Sequence, residues 1–273
     1  MPLACLTRDG KPTLHSIAFH QDEEPVTWIG LSIVDNDVFG AFLKAEVAAR
    51  LQDEDGTADF THHLSSLAST GFAQDSLQAI LGARQGEERA WAIGEALAEA
   101  WLTKEHNVIW PWNMERDKRT PRASLPGADL VGFQIDGGKT RLVLGEVKSS
   151  SEISTPPNVM TGRKGMTQQL ENLVSDLGLL HTLLRWLQPR CKGSNAEPHF
   201  NAAIKSLLES GNREMVLFGV LVRDTAPHEL DLKKRGVHLG TLVKAPAVCK
   251  LLALYIPYSI NSLPKQILSG AQS

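Results

Sequence analysis

The sequence predicts an α/β (α+β) protein with a mixed β-sheet core flanked by helices and an N-terminal α+β elaboration. Apolar stretches at 126–133 and 141–150 surround a Gly-Gly pair at 137–138, which is typical of a β-hairpin. Helical patterns precede and follow this hairpin, at 87–106 and 165–187. Apolar runs at 215–222 and 250–257 predict buried strands. Alternating helices and strands favour a sheet enclosed between helices.

The N-terminal part of the chain has a different character. Alternating stretches at 13–20 and 25–34 predict strands, and 38–51 predicts a helix. A polar segment follows at 52–63, and a breaker-rich segment at 188–200 reads as an exposed connection. We therefore divide the chain into an N-terminal region, 1–80, that could dock a partner, and a main domain, 81–273.

The hairpin places three charged residues in apolar strands. A turn centred on Gly137 and Gly138 pairs residues outward until Asp129 lies opposite Glu146. Lys148 shares a face with Glu146 because side chains alternate along a strand. Directly opposed like charges destabilise a sheet, so a cation between the carboxylates is expected. Mg²⁺ suits such a position, since it takes one or two carboxylates and completes its shell with water and phosphate. An ordinary ion-pair cluster is the structural alternative.

This arrangement resembles the PD-(D/E)XK nuclease superfamily. The chain reads Gly-Ala-Asp at 127–129 and Gly-Glu-Val-Lys at 145–148. The proline that usually precedes the aspartate is absent, and Pro126 stands three places ahead of it. The resemblance implies a restriction-endonuclease-like fold with element order αβββαβ, whose first strand would be 108–110. It also implies metal-dependent hydrolysis of phosphodiester bonds.

The same resemblance implies the roles of individual residues. Asp129, Glu146 and the Val147 carbonyl would bind Mg²⁺, for which Mn²⁺ can substitute, and Lys148 would orient the attacking water. Glu95, on the helix before the hairpin, would join the metal site; a solvated acidic face is the alternative. Gln169, on the helix after it, would add a polar contact, although helix-end hydrogen bonding explains it equally well. The neighbouring Gly94 indicates close approach to another backbone.

The loop before Asp129 concentrates positive charge in four residues that could grip DNA phosphates without reading sequence: Arg116, Lys118, Arg119 and Arg122. An ordinary solvated loop is the alternative. The whole chain has a formal charge of −3 and a pI near 6.3, which excludes a strongly basic polyanion-binding protein.

Composition and short motifs exclude several other classes of protein. No apolar run is long enough to span a membrane, and no signal-peptide pattern opens the chain, so we expect a soluble cytoplasmic protein. Three scattered cysteines form no metal-binding or redox pair. Gly-Lys-Thr at 138–140 lacks the preceding glycine and the following helix of a phosphate-binding loop, so ATP binding is not expected.

A narrower resemblance rests on GEALAEAWL, PGADLVGF and GEVKSS in this order. These blocks are similar to the nuclease subunit of Hachiman-type anti-phage systems, over residues 88–222. That family pairs its nuclease with a separately encoded helicase and degrades DNA, so the resemblance implies a helicase partner, with 1–80 as its docking region. The competing hypothesis is a catalytically silent nuclease-fold module that binds DNA or a partner protein.

Overall fold

A computed structural model describes residues 13–82, 90–117 and 127–268. Its centre is a seven-stranded mixed sheet in the order β1-β2-β7-β6-β5-β4-β3. The β1/β2, β3/β4 and β4/β5 pairs are antiparallel, and the three central pairs are parallel. The strands are β1 His15–Glu23, β2 Val26–Ile33, β3 Val108–Ile109, β4 Leu130–Asp136, β5 Lys139–Ser150, β6 Met215–Arg223 and β7 Val248–Tyr255.

Helices cover both faces of this sheet. A π-helical turn at Leu43–Val47 joins the first two. The helices are α1 Asp37–Phe42, α2 Ala48–Leu51, α3 Glu54–Leu67, α4 Gly71–Gly82, α5 Ala90–His106, α6 Met114–Asp117, α7 Met166–Ser175, α8 Leu177–Cys191, α9 Glu197–Glu209, α10 Lys233–Gly240 and α11 Leu263–Leu268. The expected α/β class with a mixed sheet between helices is confirmed.

Two glycines show which helix covers which face of the central strands. A Cβ on Gly94 of α5 would lie 2.3 Å from the Ser149 hydroxyl, so α5 packs on the face of β5 that carries Ser149. A Cβ on Gly219 of β6 would lie 2.9 Å from both Leu170 and Met166 of α7. Gly219 pairs with Glu146, so α7 covers the face to which Glu146 points.

The middle of helix α5 is buried on all sides. Every side chain from 93 to 102 is buried, including Trp101 and the acidic Glu95 and Glu99. A helix that is buried all round belongs inside a large core, and its two carboxyls need partners there. Glu99 has one, because its Oε2 lies 2.5 Å from Nε of Arg50.

The expectation of one helix over 165–187 is wrong. The chain leaves the helical conformation at Asp176, where φ is −95° and ψ is 99°. The Asp176 carboxylate accepts a hydrogen bond from the Leu179 N–H at 3.0 Å and caps α8. The apolar stripe continues through the break because both helices pack on the same core, which is why the periodicity alone suggested a single helix.

Two helices fall in segments for which the sequence analysis predicted no helix. α3 occupies most of the polar segment 52–63, and no residue of it is buried. α9 begins inside 188–200, and α8 extends into the same segment as far as Cys191. Pro198 stands in the first turn of α9, where a missing N–H costs nothing. Helices with few buried residues leave little periodic signal.

The N-terminal region contributes to the same sheet as the main domain. β2 pairs in parallel with β7 from Val26↔Cys249 to Ser32↔Tyr255. The boundary at residue 80 stays a prediction. No helix in the described parts of the chain is long and apolar enough to cross a membrane.

Candidate active site

The hairpin forms in the predicted register. β4 pairs with β5 from Asp136↔Lys139 at the turn to Leu130↔Gly145, and extending this register by one pair brings Asp129 opposite Glu146. Gly137 and Gly138 have φ values of 55° and 79°, which is the left-handed conformation a two-residue turn requires. The turn residues alone therefore determine which carboxylates face each other.

Asp129 turns its side chain toward β5. Its backbone N–H donates to the Gly145 carbonyl at 3.0 Å, and its Oδ2 accepts from the Val147 N–H at 3.0 Å. The carboxylate thus accepts a hydrogen bond that a backbone carbonyl just before Asp129 would accept if the β4/β5 ladder continued. In a strand the N–H and C=O of one residue point to the same neighbour. The Val147 carbonyl therefore points toward the same neighbour as the Val147 N–H, and its role as a metal ligand stays a prediction.

Glu146 is buried beside Asp129 and Lys148. Only 1% of Glu146 is exposed, and its Oε1 forms an ion pair with Nζ of Lys148. Burial and, after it, the neighbouring Asp129 carboxylate raise the pKa of Glu146 to about 8, while Lys148 opposes both effects. Without a metal, Glu146 therefore keeps its proton near neutral pH, because burial and the adjacent carboxylate outweigh the single ammonium of Lys148.

The unpaired oxygen of Glu146 fits a bound cation. Apart from the Asp129 carboxyl beside it, the buried Oε2 of Glu146 has no hydrogen-bond donor among the described residues. The Asp129 and Glu146 carboxyls and the Val147 carbonyl are an all-oxygen donor set of the kind that Mg²⁺ and Mn²⁺ prefer. A divalent cation would replace the retained proton and relieve the repulsion. The residues present therefore fit a bound Mg²⁺ or Mn²⁺ ion.

The structure does not gather Glu95 into a three-acid cluster. No group of three or more His, Cys, Asp and Glu side chains within the described ranges is arranged to hold a metal ion. Glu95 is buried and follows Gly94, which lies against Ser149, one residue beyond Lys148. Glu95 is therefore close to the end of β5, on the helix that covers the opposite face from Glu146. Its role as a metal ligand stays a prediction.

Gln169 lies on the helix that covers the Glu146 face. Its neighbours Met166 and Leu170 contact the position of Gly219, which pairs with Glu146. The Gln169 Oε1 is buried without a hydrogen-bond partner in the described part of the chain. By contrast, the adjacent Gln168 bonds to Glu171 and Asn172 on the outer surface of α7. A polar role for Gln169 at the site stays a prediction.

Of the four predicted phosphate-binding residues, the structure describes only Arg116. Its guanidinium lies 3.1 Å from Asp117 and 3.9 Å from Asp53, and half of the side chain is exposed. Two carboxylates already pair with the Arg116 guanidinium. The structure therefore does not direct this side chain toward a phosphate. Lys118, Arg119 and Arg122 lie outside the described residues.

Sequence reasoning missed one residue on the face of Glu146 and Lys148. Arg223 pairs with Ser150 in the β5/β6 ladder, two residues farther along the face than Lys148. Its guanidinium is fully buried, donates to the carbonyls of Ser150 and Ser154, and lies 3.3 Å from Asp231. The only sequence signal is an arginine that ends an otherwise apolar strand.

Comparisons with known proteins do not assign this chain to a family. No protein-family model matches it. A search of curated proteins gives no significant match either.

Proposed function

We propose that this protein is a Mg²⁺-dependent deoxyribonuclease of the PD-(D/E)XK superfamily, with a restriction-endonuclease-like fold. The observation that carries the proposal is the buried Glu146 carboxyl, held between Asp129 and Lys148 with one oxygen unpaired. The order α5, β3, β4, β5, α7 and β6 supports it, because it follows the αβββαβ order of that superfamily. The protein would act in the cytoplasm.

Each chemical role has a candidate residue. Asp129, Glu146 and the Val147 carbonyl would hold Mg²⁺ or Mn²⁺, which would polarise a phosphoryl oxygen and lower the pKa of its bound water. The Lys148 ammonium would orient the attacking water and stabilise negative charge that develops on the phosphate. Gln169 would add a polar contact from α7, and Glu95, on α5 near the end of β5, would join the metal site. In-line hydrolysis of a phosphodiester needs little more than such positioning and charge stabilisation.

The competing hypothesis is a silent module that keeps the fold and only binds. Retained opposed carboxyls argue against it. A buried acid whose pKa is raised to about 8 costs folding free energy at neutral pH, and a protein without catalysis gains nothing from that cost. A module of that kind could hold an apolar residue at position 146.

Degradation of plasmid DNA tests the proposal. We expect cleavage by the wild-type protein in Mg²⁺ or Mn²⁺, with any helicase partner present, and none in EDTA. Lys148→Ala should reduce the rate by about 10²- to 10³-fold, because one fixed charge facing the reacting phosphate is lost. Lys139→Ala is a matched control: this lysine lies in the same hairpin, pairs with Glu214 at 2.7 Å and should be dispensable.

If wild type, Lys148→Ala and Lys139→Ala degrade DNA at the same rate, or not at all, the silent-module hypothesis is preferred. An RNA substrate of the same sequence separates deoxyribonuclease from ribonuclease activity in the same assay. Circular dichroism of all three proteins shows that any loss is not caused by unfolding.

We further propose that α3 and α4 dock a separately encoded helicase, making this protein the effector subunit of an anti-phage complex. Leu77 is the only buried residue of the two helices. Isolated helices of this length are marginal in water, since packing normally stabilises them. Four large apolar side chains are exposed: Phe60, Leu67, Phe72 and Ile80.

Charge indicates the chemistry of the partner surface. Between 54 and 82 the chain carries four acids and neither lysine nor arginine. Such a surface repels nucleic acid and a second copy of itself, and it suits a basic protein surface with apolar contacts. The helicase subunit should therefore present lysines or arginines around an apolar groove.

Binding to a helicase encoded beside this gene tests the docking proposal. Phe72→Ser combined with Ile80→Ser should weaken that complex at least tenfold in a pull-down titration, because both side chains lose apolar contact area. Leu208→Ser, an equally exposed apolar change on α9, is the control. Unchanged binding would overturn the assignment, and so would a dimer of this chain that the double variant dissolves.

A further inference from the structure

The segment after β5 presents one apolar side chain to solvent. Ile153 is 92% exposed, the highest fraction among the large hydrophobic residues that the structure describes. It stands in a run of small polar residues, Ser-Ser-Ser-Glu-Ile-Ser-Thr-Pro-Pro at 149–157. Single exposed apolar residues are common and usually need no explanation. The surroundings of Ile153 distinguish it from such residues.

Hydrogen bonds hold the backbone on both sides of Ile153. Glu152 accepts from the Asn158 N–H at 2.8 Å and from the Ser154 hydroxyl at 3.1 Å, while its own N–H donates to the Ser150 hydroxyl. The buried Arg223 donates to the Ser154 carbonyl at 3.2 Å. These hydrogen bonds hold the segment against the end of the sheet, and the Ile153 side chain points into solvent.

A second anchor holds the start of this segment. The Ser151 hydroxyl donates to Asp224 at 2.8 Å, and the same carboxylate oxygen accepts from the Ile260 N–H at 2.9 Å. The side chain of Ile153 is itself stiff, because branching at Cβ restricts its first torsion angle. Both effects reduce the conformational entropy that Ile153 would lose on insertion into a ligand.

The position of Ile153 relates it to the candidate active site. It follows Lys148 by five residues along the same chain, so at most about 18 Å of extended backbone separates them. Each base pair of a duplex occupies about 3.4 Å along its axis. Ile153 therefore lies within the length of about five base pairs of a phosphate bound at Lys148.

From these observations we propose that Ile153 is a positioning residue that inserts as a wedge into the minor groove of duplex DNA beside the cleaved phosphate. The inference rests on the proposed nuclease function. Exposed isoleucine and leucine side chains on DNA-binding proteins can enter a base step, partly unstack it and bend the duplex.

The wedge gives the site a way to select substrate without reading base edges. Flexible pyrimidine-purine steps unstack most easily, so cleavage is favoured within about five base pairs of such a step. Mismatched or damaged pairs, which cost less to unstack, are favoured for the same reason. Ile153 acts by holding the duplex in register while Lys148 and the carboxyls act on the phosphate.

Fluorescence of a 30-base-pair duplex that carries 2-aminopurine at successive positions tests the proposal. The protein is used in the Lys148→Ala background with Ca²⁺, so that binding is measured without cleavage. We expect one position near the bound site to brighten several-fold as its base unstacks. Ile153→Ser should abolish this rise and weaken binding about tenfold by anisotropy, and Ile153→Leu should preserve both.

Leu208→Ser is the matched control, since it removes an exposed apolar side chain from α9 and should change neither signal. Equal fluorescence and affinity for Ile153→Ser and its parent overturn the wedge, even where wild-type protein cleaves DNA. Weakened helicase binding in that variant, with DNA binding intact, overturns it in favour of a protein contact. Failure of every variant to bind duplex DNA overturns the wedge and the proposed deoxyribonuclease together.

Discussion

The Glu146→Gln variant is expected to lose metal binding and at least 10³-fold in DNA cleavage, while its metal-free form becomes more stable than the wild type. Glutamine keeps the size of the side chain but offers a neutral amide in place of a carboxylate, so one of the two charged metal ligands is removed. The amide can still donate to Asp129, which removes the repulsion between the two acids. Loss of activity combined with gain of stability is typical of a functional site and not of a structural one.

The gain in stability should depend on pH. The pKa of Glu146 is raised to about 8 in the folded protein, against 4.5 for the ordinary side chain, through burial and the neighbouring Asp129. A raised acid pKa stabilises the fold fully below 4.5, and this contribution is lost as pH rises toward 8. In EDTA the wild type should therefore weaken relative to Glu146→Gln across this interval, by about 2 to 4 kcal/mol.

Urea unfolding at pH 5 and pH 8, with and without Mg²⁺, measures this effect. Mg²⁺ should raise the stability of the wild type at pH 8, because a ligand that binds only the folded state stabilises it. It should leave Glu146→Gln unchanged. If Mg²⁺ fails to stabilise the wild type, or if the variant is less stable at pH 8 in EDTA, the metal site proposed around Glu146 is wrong.

Arg223→Met should destabilise the protein by about 3 to 5 kcal/mol. Arg223 and Asp231 are both fully buried, and Nε of Arg223 lies 3.3 Å from Oδ2 of Asp231. Removing the arginine leaves a buried carboxylate whose remaining partner is the Tyr255 hydroxyl at 2.9 Å, and an uncompensated buried charge is costly. The double change Arg223→Met with Asp231→Leu should recover most of the loss, since no charge then stays buried.

Denaturant unfolding of the two variants measures the difference. Lys233→Met is the matched control, because Lys233 forms an exposed ion pair with Glu229 at 3.1 Å that should contribute less than about 1 kcal/mol. A loss below 1 kcal/mol for Arg223→Met would show that Asp231 finds water or another donor. The single variant should also release Ser154 and so loosen the segment that carries Ile153.

Local rules were sufficient where neighbours along the chain decide the geometry. The Gly137-Gly138 turn determines the hairpin register, and the register brings Asp129 to Glu146. Period-two alternation then places Lys148 beside Glu146. Each step depends on residues within one hairpin, so no knowledge of the rest of the fold is required.

The spacing of apolar residues did not predict the helices correctly in two segments of the chain. Asp176 breaks the long apolar stripe because its carboxylate caps a new helix, which a pattern of apolar residues cannot show. The exposed helix α3 has no buried residue, so its sequence shows a polar segment without an apolar face. Whether a helix lies on the surface or against the core depends on the whole fold, which an apolar pattern within one segment does not show.

The amino-acid sequence by itself determined the strands, the hairpin and the opposed carboxyls, because turn chemistry and alternation act between neighbours in the chain. The tertiary structure alone decided that Glu146 is buried with an unpaired oxygen, that Arg223 braces the segment beyond Lys148, and that Ile153 stands in solvent. These properties depend on residues far apart in sequence, since burial and charge pairing arise only when distant elements pack together.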